Sequence, residues 1–190
     1  MEAERLIAAG RSALAGSRGV PDVMAEAWQA QALARAVGGH LARYGPAELR
    51  TDARGLSETC ALGSAVLDHP MVPAGGVRAS QLTEVARLSG ALAALVLLLG
   101  EAGIALVGVA CGTEEEGLYW QCIEAIDAVD ESVDRVHGMM RRLAEQERER
   151  DRESGPEPDR ERDGSFGSGQ GPLVHGSVVH GPADSVARQP

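Results

Sequence analysis

The sequence predicts an all-α protein: an antiparallel bundle of about five helices followed by a disordered polar tail. Three observations carry that expectation. First, the 190 residues are 44% hydrophobic but include one Phe, two Trp and two Tyr. The core must therefore be built from Ala, Leu and Val, which suit closely packed helices and give a β-sandwich little to work with. Second, apolar residues recur at steps of three and four through most of the first 143 positions, the signature of one helix face. Third, Gly, Pro, Ser, Asp, Glu and Arg dominate from Ser154 onward, a composition that cannot bury enough apolar surface to fold. The expected organisation is a helical domain over 1–150 and a tail over 151–190.

The first helix is expected over about 2–16, with Leu6, Ile7, Ala13 and Leu14 inward. It stops at Gly16-Ser17-Arg18-Gly19. The second runs over about 21–44. Pro21 suits a first helical position, where its missing N–H would have no partner anyway. Val23, Ala27, Ala30, Ala34, Val37, Leu41 and Tyr44 form its apolar face. Gly45 ends it and Pro46 opens the third, about 46–68, with Leu49, Leu56, Gly63 and Leu67 inward. Asp68 to Gly76 holds two prolines and two glycines and reads as a loop.

The fourth helix is expected over about 78–111. Its first part is amphipathic through Leu82, Val85 and Leu88, and from Ala91 to Cys111 it is apolar on every side except Glu101. Gly100, Gly103 and Gly108 can kink it or admit a neighbouring backbone. Thr113 with Glu116 matches a capping box for the fifth helix, about 113–150. There Tyr119, Cys122, Ile126, Val129, Val133, Val136, Met140 and Leu143 form an unbroken heptad seam, the pattern of coiled-coil-like packing. Charges alternate from Glu145 to Arg152 and can extend this helix into solvent. In the tail, Val174-His175-Gly176 and Val179-His180-Gly181 form a short echo, read as a near-repeat of low complexity.

Net charge is −10. The short basic spots sit among carboxylates and make no patch to neutralise phosphates, so nucleic acid is not an expected partner. The cysteines, Cys60, Cys111 and Cys122, are odd in number and widely spaced, so neither a metal clip nor a disulfide framework can be read. The acidic N-terminus lacks the basic and apolar regions of a signal peptide. A reducing cytoplasm is the expected compartment.

The strongest chemical candidate is acidic. Glu124, Asp127, Glu131 and Asp134 fall at steps of three, four and three and share one helix face, with Asp130 adjacent. Carboxylates so spaced are hard oxygen ligands for Mg²⁺. Glu124-x-x-Asp127 and Glu131-x-x-Asp134 resemble the paired-acid spacing of the all-α nucleotide pyrophosphohydrolases. That resemblance implies a Mg²⁺-dependent hydrolase, but the Glu-Glu-x-x-Glu element of the partner helix in that family is missing here. The competing reading, favoured here, is the solvated face of an acidic protein. Asp134-x-x-His137 supplies only half of a di-iron motif. No nucleophile elbow and no phosphate-binding glycine loop occurs. The three cysteines sit at apolar helix positions, where a thiol acts as a small hydrophobe. Trp28, Tyr119 and Trp120 are scarce aromatics that could anchor a partner, although helix packing explains them as well.

Ala91–Cys111 is long enough to span a bilayer. Its ten Leu, Ile and Val contribute roughly −3 to −6 kcal/mol on an insertion scale, and a carboxylate at the midpoint, Glu101, costs about 3 kcal/mol, so the arithmetic does not decide. The flanking amphipathic helices favour a buried core helix partnering the heptad seam.

Lys and Asn are absent and all 18 basic residues are Arg, a bias that points to a GC-rich genome. The stretches Ala25-Glu26-Ala27-Trp28-Gln29-Ala30-Gln31-Ala32-Leu33-Ala34 and Gly117-Leu118-Tyr119-Trp120-Gln121-Cys122-Ile123-Glu124-Ala125-Ile126-Asp127 resemble a family of small uncharacterised proteins of Streptomyces-type actinomycetes. The resemblance covers roughly 1–145 and implies a small helical fold with no assigned activity. The function expected from the residues is non-enzymatic: an interaction or adaptor protein that binds another protein or itself as a homo-oligomer. The alternatives are the Mg²⁺-dependent hydrolase and a membrane-attached regulator held by 91–111.

Overall fold

The computed structural model describes residues 1–67 and 76–153. They form five α-helices: α1 (Ala3–Gly16), α2 (Val20–Tyr44), α3 (Arg50–Val66), α4 (Leu88–Gly112) and α5 (Glu116–Glu153). Short 3-10 turns at Ala47–Leu49 and Arg78–Gln81 join them. The expected all-α bundle is what forms. The tail, its Val-His-Gly echo and all but the last residue of the Asp68–Gly76 loop lie outside the described residues.

Helices α2, α3, α5 and α4 close a ring, and α1 packs against α4 and α2. Close contacts fix the directions. Gly38 of α2 meets Ala53 and Ser57, and Gln31 meets Gly63, so α2 and α3 are antiparallel. Cys60 Sγ lies 3.3 Å from Ser132 Oγ, and Gln121 donates to the Val66 carbonyl at 2.9 Å, so α3 and α5 are antiparallel too. Residues 113–115 turn α4 back into α5. Helix α3 therefore runs the same way as α4, and the chain between them must cross the length of the bundle.

The core is the Ala and Leu lattice that the composition implies. Leu6, Ile7, Leu33, Leu49, Leu56, Leu92, Leu95, Leu98, Leu99 and Leu106 are all fully buried. Small residues set the spacing. A Cβ on Gly38 would stand 2.8 Å from the Ala53 carbonyl oxygen and 2.9 Å from the Ser57 nitrogen. Both are backbone atoms that cannot swing away, so α2 and α3 touch backbone to backbone there. Gly103 admits a side chain of α5 against α4, with its missing Cβ 3.3 Å from Val129 Cγ1.

Several boundaries and faces differ from the sequence reading. The fourth helix begins at Leu88 rather than near 78. Residues 82–87 are extended because the N-terminus claims their backbone. Ala3 N–H donates to the Glu84 carbonyl at 3.1 Å, Thr83 N–H to the Met1 carbonyl at 3.0 Å, and the N-terminal ammonium to the Gln81 carbonyl at 2.7 Å. Leu82, Val85 and Leu88 still pack on the core, so their spacing was informative about burial and misleading about conformation.

The fifth helix begins at Glu116. The Thr113 hydroxyl accepts from Glu115 N–H at 3.1 Å, two residues on instead of three. The buried arc of α5 is also rotated from the predicted seam, running Cys122, Ala125, Val129, Ser132, Val136, Met139. Ile126, Val133, Met140 and Leu143 are half-buried and Tyr119 is exposed. Because α5 sits between α3 and α4, its buried arc faces the gap between them. Ala125 and Ser132 are small enough to let α3 close in. On α2, Tyr44 is likewise 74% exposed, its ring tilted against His40 at 5.1 Å.

Helix α4 departs furthest from expectation. It lies against α5 as predicted. Yet only 44% of its most apolar window is buried. It is a wall of the bundle and not an enclosed central rod.

Candidate interaction surface

The inner face of α4 carries Leu92, Leu95, Leu98, Leu99, Ala102, Leu106 and Val109, all buried. A ring of four helices leaves each member one outward face. On α4 that face reads Ala93, Leu97, Gly100, Ile104, Val107, Cys111, at steps of four, three, four, three and four. Ile104 is 75% exposed, Leu97 52% and Val107 46%. Among the described residues nothing lies within 4 Å of the Cβ position of Gly100 or Gly108. The surface is thus a heptad-spaced row of aliphatic knobs separated by open glycine sockets. Contiguous exposed apolar surface on an otherwise acidic protein makes this face a candidate interaction site.

Two further features stand out on α4 and the start of α5. Tyr119 and Trp120, edge to face at 5.3 Å, stand exposed at the end of the bundle where α4 turns into α5. At mid-helix Glu101 accepts two hydrogen bonds from Arg11 Nε on α1, at 2.9 and 3.0 Å, and an ion pair from Nη2. Those hydrogen bonds hold the Glu101 carboxyl below the usual carboxylate range. The charge that interrupts the apolar run is thereby answered from a neighbouring helix. Both partners remain partly exposed.

The acidic stripe is elsewhere on the surface. Glu124, Asp127, Glu131 and Asp134 are all exposed on α5, with Asp130. Glu131 is engaged: it accepts from Arg135 at 2.7 and 3.2 Å and from the Thr59 hydroxyl at 3.2 Å. The Arg135 bond, ahead of the Thr59 bond, lowers its pKa. Among the described residues no three His, Cys, Asp or Glu side chains are grouped to hold a metal ion. His137 is half-buried three residues beyond Asp134.

The thiols separate into two kinds. Cys60 is fully buried, and burial pushes its pKa up to about 11 against the opposing Ser132 bond. Cys122 is buried with its Sγ 3.9 Å from Met24 Sδ, and burial raises its pKa too. Cys111, read from sequence as an apolar-face residue of the same kind, is exposed on the open face of α4. Thiolate is the reactive form. In native protein one thiol, Cys111, is therefore expected to react rapidly with a maleimide or disulfide reagent, and all three in guanidinium. Rapid native reaction of the Cys111→Ser variant would contradict the burial of the other two.

Sequence reasoning missed the open face of α4 because a helix apolar all round gives no phase. The signal was the placement of the glycines: Gly103 falls on the inner side and Gly100 and Gly108 on the outer.

Compared with known proteins, residues 1–142 match the model of DUF6099, a family of unknown function. No curated protein and no solved structure matches.

Proposed function

Because the chain belongs to the DUF6099 family, whose function is unknown, its role must be read from its own surface, and we propose that it is a self-associating helical module whose outward α4 face docks on a second copy. The observation that carries this is the alternation of exposed Leu97, Ile104 and Val107 with open Gly100 and Gly108. A two-fold interface must be complementary to itself. When two such rows run antiparallel, Ile104 meets Gly100 and Leu97 meets Gly108 of the other copy, since both pairs share a midpoint near residue 102. Two of the three knobs then face sockets, and Val107 lies beside Leu97 of the other copy.

A second copy suits this face better than lipid. The Arg11–Glu101 pair borders the face at mid-helix, and a bilayer would have to desolvate both charges at its centre. The net charge of −10 would also be repelled by anionic headgroups. A protein interface can leave the pair in a wet rim. The free thiols fit the reducing cytoplasm as the setting. The hydrolase reading is less well supported, since Glu131 is already held by Arg135 and Thr59.

Magnitude sets the strength. A 25-residue helix is about 37 Å long and, at about 10 Å wide, offers roughly 370 Å² per copy. Tyr119 and Trp120, 40% and 55% exposed, add on the order of 50 Å² each if the contact covers half of their exposed area. The total of about 940 Å² lies in the range of weak, transient contacts. Sedimentation equilibrium of the full chain is expected to show monomer and dimer exchanging in the micromolar range. A single monomeric species at several hundred micromolar would refute the proposal.

A further inference from the structure

Apart from the α4 face, the described surface has a second organised feature: a groove between α2, α3 and the crossover. Two adjoining hollows, of about 490 and 200 Å³, share Ala36, Arg43 and Ala79 and run on into one another. Trp28 stands at one end and Tyr44 at the other. The floor is small, Ala32, Ala36, Gly39 and Ala79, so a ligand can lie flat along it. From Trp28 to Tyr44 it follows α2 for about 24 Å.

The charge of this groove is opposite to that of the protein. The chain carries −10 overall, yet Arg35 and Arg43 line the groove and none of its described lining residues is a carboxylate. Several arginines elsewhere are neutralised: Arg11, Arg78, Arg87, Arg135 and Arg142 each hold a Glu or Asp. Arg35 and Arg43 hold no carboxylate among the described residues. Ser57, His40 and Tyr44 add groups able to donate to an oxygen anion. The two arginines are eight residues apart, about 12 Å along the helix.

We infer that this groove binds a small multiply charged anion, its acidic groups held by Arg35 and Arg43 and its body lying over the alanine floor. Guanidinium forks match phosphate and carboxylate oxygens equally in geometry, so the shared chemistry is the paired oxyanion, and probes of each kind separate the sources. A groove open to solvent gives modest affinity, with dissociation constants on the order of 10–100 μM.

The test is calorimetric titration of the full chain with inorganic pyrophosphate and with citrate. Binding of either that weakens tenfold or more in R35Q/R43Q, and is unchanged in R141Q, supports the site, and the preferred probe identifies its chemistry. Both arginines are exposed, so the double variant is expected to keep its helical circular dichroism. No heat with either anion at millimolar concentration would overturn the inference. Binding unaffected by R35Q/R43Q would overturn it equally.

Discussion

Replacing Leu99 by alanine is expected to destabilise the protein by about 2–5 kcal/mol, the range for emptying a packed leucine site. Leu99 is fully buried on the inner face of α4, where the ring closes against α5 and α2. The backbone contact at Gly38 between α2 and α3 limits how far the helices can collapse into the void. For a chain of this size each kcal/mol moves the melting temperature by about 2–4 °C, so a drop of roughly 10 °C is expected in calorimetry. A loss under about 1 kcal/mol would mean that the inner face of α4 is not core. Association should survive in this variant below its melting temperature.

Ile104→Glu is expected to do the reverse. Its side chain is three-quarters exposed, so the monomer should lose less than about 0.5 kcal/mol. The dimer, however, would bury an unpaired carboxylate at its centre. Association is expected to weaken a hundredfold or more, read by sedimentation. Gly100→Leu separates contact from charge. Among the described residues nothing lies within 4 Å of the Cβ position of Gly100, and leucine is the better helix former by up to about 1 kcal/mol. The variant is therefore expected to be as stable as the native chain or more so, while the filled socket blocks the knob of the second copy. A Gly100→Leu protein that still dimerises normally would place the interface elsewhere.

Much of this fold was legible from spacing alone. Leu49, Leu56, Gly63 and Leu67 were assigned inward and are buried, as are Ala27, Ala30, Ala34, Val37 and Leu41. What was not legible depends on neighbours. The seam on α5 was traced through large side chains, whereas its buried arc runs through Ala125 and Ser132, which look neutral until a close α3 makes small size the requirement. The extended run before Leu88 depends on hydrogen bonds from residues some eighty positions earlier. The outward face of α4 is a matter of phase, and a uniformly apolar segment has none. The groove was not legible because position is a spatial property: on paper Arg35 and Arg43, which hold no carboxylate among the described residues, look no different from Arg11 or Arg78.

The most direct measurement of the two-faced α4 is thiol labelling as a function of concentration, in a Cys111→Ser background with a single cysteine placed at 104 or at 99. At position 104 labelling is expected to be fast in dilute protein and to slow as protein concentration rises into the dimer range. At position 99 it should be slow throughout. Equal rates at the two positions, or labelling at 104 that ignores concentration, would contradict the account.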